Sequence, residues 1–290
     1  MKFGVMFANV GPMGTAEGAA GIGQAAEEGG IESLWTVEHV VVPAGYQSTY
    51  PYSDTGRMPG GEDSPIPDPL IWLAFVAAAT KTIRLGTGIL ILPERNPVVL
   101  AKQVATLDSL SGGRVELGIG VGWLEEEFDA IGVPFADRGK RTDDYVAALR
   151  ALWTQAPASH QSEFTSFTDV YSRPAPAQAD LPIVVGGHSK AAARRAGRLG
   201  NGFFPGKGSH EELAELIDIV RATAIEHGRD PDAIEITTGG NGALGSGALD
   251  EVKALADLGV SRVIIPPLAF DVEGQRVAFA KYGEDVISKA

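Results

Sequence analysis

Cysteine is missing from the whole 290-residue chain, so disulfides, thiolate metal sites and a cysteine nucleophile are excluded. Histidine is scarce. The five present (His39, His160, His188, His210 and His227) show no HxH or HExxH spacing, and no carboxylates cluster at strand ends beside them, which argues against a metal centre. The nucleophile elbow GxSxG does not occur, which disfavours a Ser-His-Asp hydrolase. Positive charge is short as well: 24 Lys and Arg face 37 Asp and Glu, a net charge of -13. Such a surface repels nucleic acid and anionic lipid, and neither is expected as a partner. No apolar run approaches the length of a membrane span. The opening "MKFGVMFANVGPMG" has too brief an apolar run for a signal peptide, so a cytoplasmic protein is expected.

What the chain does have is alternation. "KFGVMFA", "SLWTVEH", "IRLGTGILI", "RVELGIG", "LPIVVGG", "NGFFP", "AIEITTG" and "VSRVIIPP" read as eight strands with helical patterns between them. Pro69 sits in the first turn of one helix, and Gly112-Gly113 closes another. A polar loop over about 40–68 and an irregular segment over about 155–180, with a hairpin in "EFTSFTDVYSRPAP", read as insertions. Eight β/α units in this length favour a closed parallel (β/α)8 TIM barrel of the α/β class over an open doubly wound sheet. No composition break divides residues 1–290 into more than one domain.

A barrel of this kind builds its site at the carboxyl ends of its strands. Small residues recur there, in "GIGVGW", "GGHSK" and "TTGGNG", and they suit a large flat ligand lying against main chain. Gly86 and Gly88 interrupt the third strand, where glycine weakens packing and marks a bulge or a close approach. "GIGVGW" is a weak dinucleotide match, because Trp123 stands where the third glycine belongs. Glu38 and His39 lie side by side at the end of the second strand. The histidine suits the proton transfer that accompanies hydride chemistry, or else it anchors a loop. Ser189, just after Gly186-Gly187, stands where a helix is N-capped, and amides at such an end face an anion, usually phosphate. Gly239-Gly240-Asn241-Gly242 is a competing phosphate loop. Between Leu181 and His210 there is no Asp or Glu, while Lys190, Arg194, Arg195, Arg198 and Lys207 fall within it. Lys190, Arg194 and Arg198 share one helical stripe.

The stretches "SLWTVEHVVVP", "LGTGILILPERNPVVLAKQVATLDSLSGGRVELGIGVGW" and "RPAPAQADLPIVVGGHSKAAARRAGRLGNGFFP" resemble the luciferase-like monooxygenase superfamily. More narrowly, they are similar to its actinobacterial branch of oxidoreductases that use the deazaflavin coenzyme F420. The likeness runs from about residue 2 to 265 in one order. It implies that Thr87, Gly88 and Ile89 form a bulge whose non-prolyl cis peptide, here Gly88–Ile89, props the middle of the coenzyme's ring. It also implies that His39 is the proton donor or acceptor with Glu38 beside it, and that Gly120, Gly122 and Trp123 flank ring and substrate. Gly186, Gly187, Ser189 and Lys190 then hold the phosphate of the tail, and Arg194 and the rest of the basic island meet the tail's anionic groups.

Two departures bear on the substrate. Sugar-phosphate dehydrogenases of the superfamily carry a glutamate where Trp123 stands and a tryptophan shortly after the histidine, where this chain has "VVVP". Lys207 does match a lysine that they use for substrate phosphate. Glucose-6-phosphate is therefore not the expected substrate, and an apolar aromatic wall points to something less polar, such as an unsaturated carbonyl compound. The alternatives are an FMN-dependent monooxygenase on the same scaffold and a non-catalytic barrel that binds a phosphorylated ligand. The apolar helix "PLIWLAFVAAAT" suits packing against a partner subunit as readily as against the barrel, and a homodimer is expected.

Overall fold

The chain winds into a closed ring of eight parallel strands. A computed structural model describes residues 1–206 and 208–290. Strand β1 (Lys2–Val5) leads to α1 (Ala16–Glu28), whose first turn is capped by Thr15 accepting from the Gly18 amide at 3.0 Å. Then come β2 (Ser33–Thr36), the long segment to residue 68, and α2 (Pro69–Ala79), capped by Asp68 through the Leu70 and Ile71 amides. The third barrel strand is in two pieces, β3 (Arg84–Thr87) and β4 (Leu90–Ile91). The helix α3 (Pro97–Ser111) ends at Gly112 with φ 72°, a left-handed stop that glycine adopts freely. Next are β5 (Val115–Gly120), the short α4 (Glu125–Ile131) and α5 (Arg138–Thr154).

The hairpin of β6 (Ala158–Gln161) and β7 (Ser166–Val170) stands outside the barrel. It lies further toward the amino terminus than the pattern "EFTSFTDVYSRPAP" suggests, because Ser162 closes the turn by donating to the Thr165 carbonyl and accepting from its amide. The second half of the ring is β8 (Ile183–Gly186), α6 (Lys190–Leu199), β9 (Gly202–Phe204), α7 (His210–Glu226), β10 (Glu235–Gly239), α8 (Ala248–Asp257), β11 (Arg262–Ile265) and α9 (Val272–Asp285). Parallel pairing of β11 with β1, starting at Lys2 against Arg262, closes the circle. Among the described residues no helix is long and apolar enough to cross a membrane.

The barrel's interior answers part of the question that its glycines raise. Trp35 of β2 points inward and is fully buried. A methyl group on Gly86 would sit 2.5 Å from its indole, so this glycine makes room for a side chain of the protein itself. Below the indole, toward the amino-terminal ends of the strands, the guanidinium of Arg262 lies 5.2 Å from the Trp35 ring centre. It donates to both oxygens of Glu116, at 2.9 Å each, and to both of Glu32, at 3.0 Å each. Burial alone would push the Arg262 guanidinium down, but Glu116 and Glu32 hold it well above its ordinary value. A buried pair of this kind contributes little net stability while intact, yet removing one partner strands the other charge. Arg262→Ala is therefore expected to cost about 3–5 kcal/mol in urea unfolding; a loss under about 1 kcal/mol would contradict this role for the barrel floor.

Candidate active site

At the carboxyl end of β2 the chain presents Glu38 and His39 in succession, and alternation sends them to different partners. His39 Nδ1 lies 2.7 Å from Oε2 of Glu127 on α4. The other oxygen of Glu127 accepts the amides of Val40, at 2.5 Å, and Val41, at 3.1 Å. The Glu127 side chain is fully buried, so one carboxylate fixes both the imidazole and the two residues after it. With Nδ1–H donating to Glu127, Nε2 is left as the nitrogen for proton exchange. Glu38 is buried too, and both of its oxygens are engaged: one accepts from the Ile91 amide at 2.6 Å and the other from Arg95. Arg95 also reaches Asp68 at 2.9 Å. In this arrangement Glu38 fastens the end of β4 and the start of α2 to β2.

The peptide bond between Gly88 and Ile89 is cis. The Ile89 side chain crosses toward β5 and β8, where a methyl on Gly186 would come within 2.5 Å of it and one on Gly120 closer still. Gly120 and Gly186 therefore hold the Ile89 side chain, which corrects the idea that they leave backbone bare for a ligand. Gly122 similarly accommodates Phe128, whose ring would lie 2.6 Å from a methyl placed there. Thr87 is a wall residue whose hydroxyl donates to the Gly118 carbonyl at 2.6 Å.

Aromatic rings roof the mouth. Trp123 meets His39 edge-on at 5.6 Å, and it meets Tyr46 at 5.5 Å and Tyr50 at 5.2 Å. Tyr50 packs on Tyr52, and Tyr52 on His188 at 5.0 Å. Tyr52 also lies directly over Gly206. All three tyrosines come from the 40–68 segment. Burial pushes the Tyr50 hydroxyl up to about 12. The segment is tethered by Glu126, the neighbour of Glu127, which accepts from the Gln47 amide at 2.6 Å and the Ser48 hydroxyl at 2.7 Å. Beside His39 a cavity of about 250 Å³ runs between Glu38, Asp68, Glu94 and Arg95.

The expected anion end is more occupied than its sequence implies. Ser189 caps α6 by accepting from the Ala192 amide at 3.1 Å, and the Gly187 amide donates to the Phe204 carbonyl. Lys190 pairs with Glu215 on α7, and Arg195 and Arg198 both pair with Asp143 on α5. The basic island is thus answered by acids distant in sequence, a correction to its reading as a free cationic stripe. Arg194 is exposed, and no ion pair involves it among the described residues. The first amides of α6 still point out of its amino-terminal end, and Gly239 has open space around it. Lys207 lies outside the described residues.

Residues 1–259 match the luciferase-like monooxygenase family model, and the chain belongs to that family. It is 35% identical over 245 residues to the uncharacterized protein Rv0940c of Mycobacterium tuberculosis, covering 84% of this chain and 83% of the relative. It is 32% identical over 220 residues to an F420-dependent glucose-6-phosphate dehydrogenase of Kineococcus radiotolerans (73% and 59% covered). Over 155 residues it is 36% identical to an FMNH2-dependent dimethylsulfone monooxygenase of Pseudomonas putida (52% and 42% covered). Among solved structures, the monooxygenase RslO1 of Streptomyces bottropensis superposes with a TM-score of 0.76 at 25% identity, covering 100% of this chain and 99% of the other.

Sequence reasoning missed Glu127, Arg95, Asp68 and the three tyrosines. Glu127 had a signal: in "LEEEFDAI" it shares a helical face with Leu124 and Phe128, which marks it as a carboxylate turned inward. Hydrogen bonds from Ser48 and Gln47 hold the Glu126 carboxyl down at about 2. A depressed folded value stabilises above the ordinary 4.5 and is lost as pH falls through the folded one. The tether should therefore loosen as pH drops from 4.5 toward about 2, seen as amide exchange at Gln47 and Ser48 accelerating relative to the intrinsic rate. Exchange that tracks the intrinsic rate throughout would contradict the tether.

Proposed function

We propose that this luciferase-like protein is an oxidoreductase that binds the deazaflavin coenzyme F420 at the barrel mouth and moves hydride between it and an organic substrate of the unsaturated carbonyl class. The observation that carries this reading is the Glu127–His39 pair standing at the strand ends beside the Gly88–Ile89 backbone. The residues fit the group in outline. The 88–89 main chain and Ile89 offer a wall for a planar ring, Trp123 flanks it, and the α6 amino terminus with Arg194 offers donors to an anionic tail. When bound, the coenzyme supplies the hydride chemistry. The chain supplies the remainder: Glu127 orients His39, Nε2 gives or takes the accompanying proton, and Glu38 holds β4 in place. The tyrosines of the 40–68 segment keep water from the mouth.

FMN is the second reading, and one feature favours it. Pairing of Lys190, Arg195 and Arg198 with carboxylates leaves less free positive charge than a polyanionic tail would use, whereas FMN ends in a single phosphate. Titrating the purified protein with each coenzyme separates the two; tight F420 binding with weak FMN binding is expected, and the reverse would overturn the first reading. With a competent substrate, His39→Ala should lower turnover by about two to four orders of magnitude, and a loss below about tenfold would remove His39 from the chemistry.

The assembly is proposed to be a homodimer through α2 and α3. Ile71 and Phe75 on α2, with Val98 and Val99 on α3, form an exposed apolar surface. Sedimentation should give twice the 30.3 kDa chain mass, and Phe75→Glu should halve it. A monomer at micromolar concentration would contradict the dimer.

A further inference from the structure

Glu94 ends the short turn Leu92–Glu94 that leads from β4 toward α3, and it shares the wall of the cavity beside His39. Both of its carboxyl oxygens are buried, and neither meets a hydrogen-bond partner among the described residues. The charges around it are engaged elsewhere, although Arg95 keeps a buried Nε without a hydrogen-bond partner among the described residues. Arg95 serves Glu38 and Asp68, and His39 serves Glu127. A buried carboxylate without donor or counter-ion is costly, so such a group keeps its proton. Burial first, and then the carboxylates of Glu127 and Glu38, push Glu94 up to about 9, with Arg95 offsetting only part.

We propose that Glu94 is the proton-holding member of a cluster with Glu127 and His39, a neutral acid that stores a proton next to the pair and refills it. When His39 Nε2 releases a proton to a reacting oxygen, the Glu94 carboxyl gives up its own as the replacement, passed through water in the cavity that the two residues share, and is itself reprotonated from solvent by the same route. No electrons move in this exchange. Glu94 touches no reacting atom and acts through His39, so it is a positioning residue for the proton. The titratable and charged groups that face it are Glu38 and His39 after β2, Asp68 at the start of α2, Arg95 before α3 and Glu127 on α4. The proposal rests on the reading of His39 as the site's acid and base. Its test needs no coenzyme, so a failure of coenzyme binding and a failure of this proposal are distinguishable.

The test is a carbon-13 NMR titration of the free full-length protein, following the Glu94 carboxyl and the His39 ring. Glu94 is expected to titrate well above the ordinary carboxylate range, with a second inflection in the His39 curve at the same pH. Glu94→Gln, which keeps the shape and lacks the acid, should abolish that inflection, and Glu94→Asp should restore it. A Glu94 carboxyl that titrates within the ordinary range would overturn the proposal, as would a His39 inflection that persists in Glu94→Gln. Should Glu94→Gln fail to fold, the titration of Glu94 in the unaltered protein decides alone.

Discussion

A carboxylate buried on a short helix organises the mouth of this barrel. Glu127 reaches from α4 to the end of β2, where it accepts from His39 and from two successive amides. Those three bonds fix the imidazole orientation, the exit direction of the chain into the 40–68 segment, and the distance between α4 and the barrel. A charge-assisted bond in a dry setting is among the stronger polar contacts available, and stranding its partners is costly. Glu38 does the matching work one residue earlier by binding the end of β4 and Arg95. Two adjacent residues at one strand end thus tie together β2, β4, α2 and α4.

The small residues along the strand ends serve internal packing before they serve any ligand. Gly86 yields to Trp35, Gly120 and Gly186 to Ile89, and Gly122 to Phe128. The consequence is a shaped surface rather than an open floor: the Ile89 side chain leans over the ends of the neighbouring strands β5 and β8. Above it the tyrosines of the 40–68 segment occupy the entrance, held by Glu126 on the same short helix that carries Glu127. The 40–68 segment and the His39 imidazole are thereby both attached to one helix of seven residues.

Much of this was legible in the sequence. The eight strands and their order followed from apolar periodicity, and helix starts at Asp68-Pro69 and Asn96-Pro97 carry their caps and prolines in plain view. The luciferase-like membership stood on motifs spread along most of the chain, and the position of His39 at a strand end followed from topology. Other features were hidden for physical reasons. The acids that neutralise α6, Asp143 and Glu215, lie far along the chain, so a run free of Asp and Glu looked more cationic than it is in space. "EEE" before Phe128 has the composition of a solvated run, and only the spacing of its third member to Leu124 and Phe128 shows it turning inward. Glycine in a strand announces a close approach and not the identity of what approaches, and the indole of Trp35 was as compatible with the pattern as any ligand.

The central claim is that a planar redox ring rests against the main chain of residues 88 and 89, within reach of His39 Nε2. A crystal structure of the protein with its bound coenzyme tests it most directly. The account predicts the ring backed by Ile89 and flanked by Trp123, with Tyr50 and Tyr52 moved out of the entrance. A coenzyme bound elsewhere, with Tyr50 still on Trp123 and Tyr52 still seated over His188 and Gly206, would contradict it.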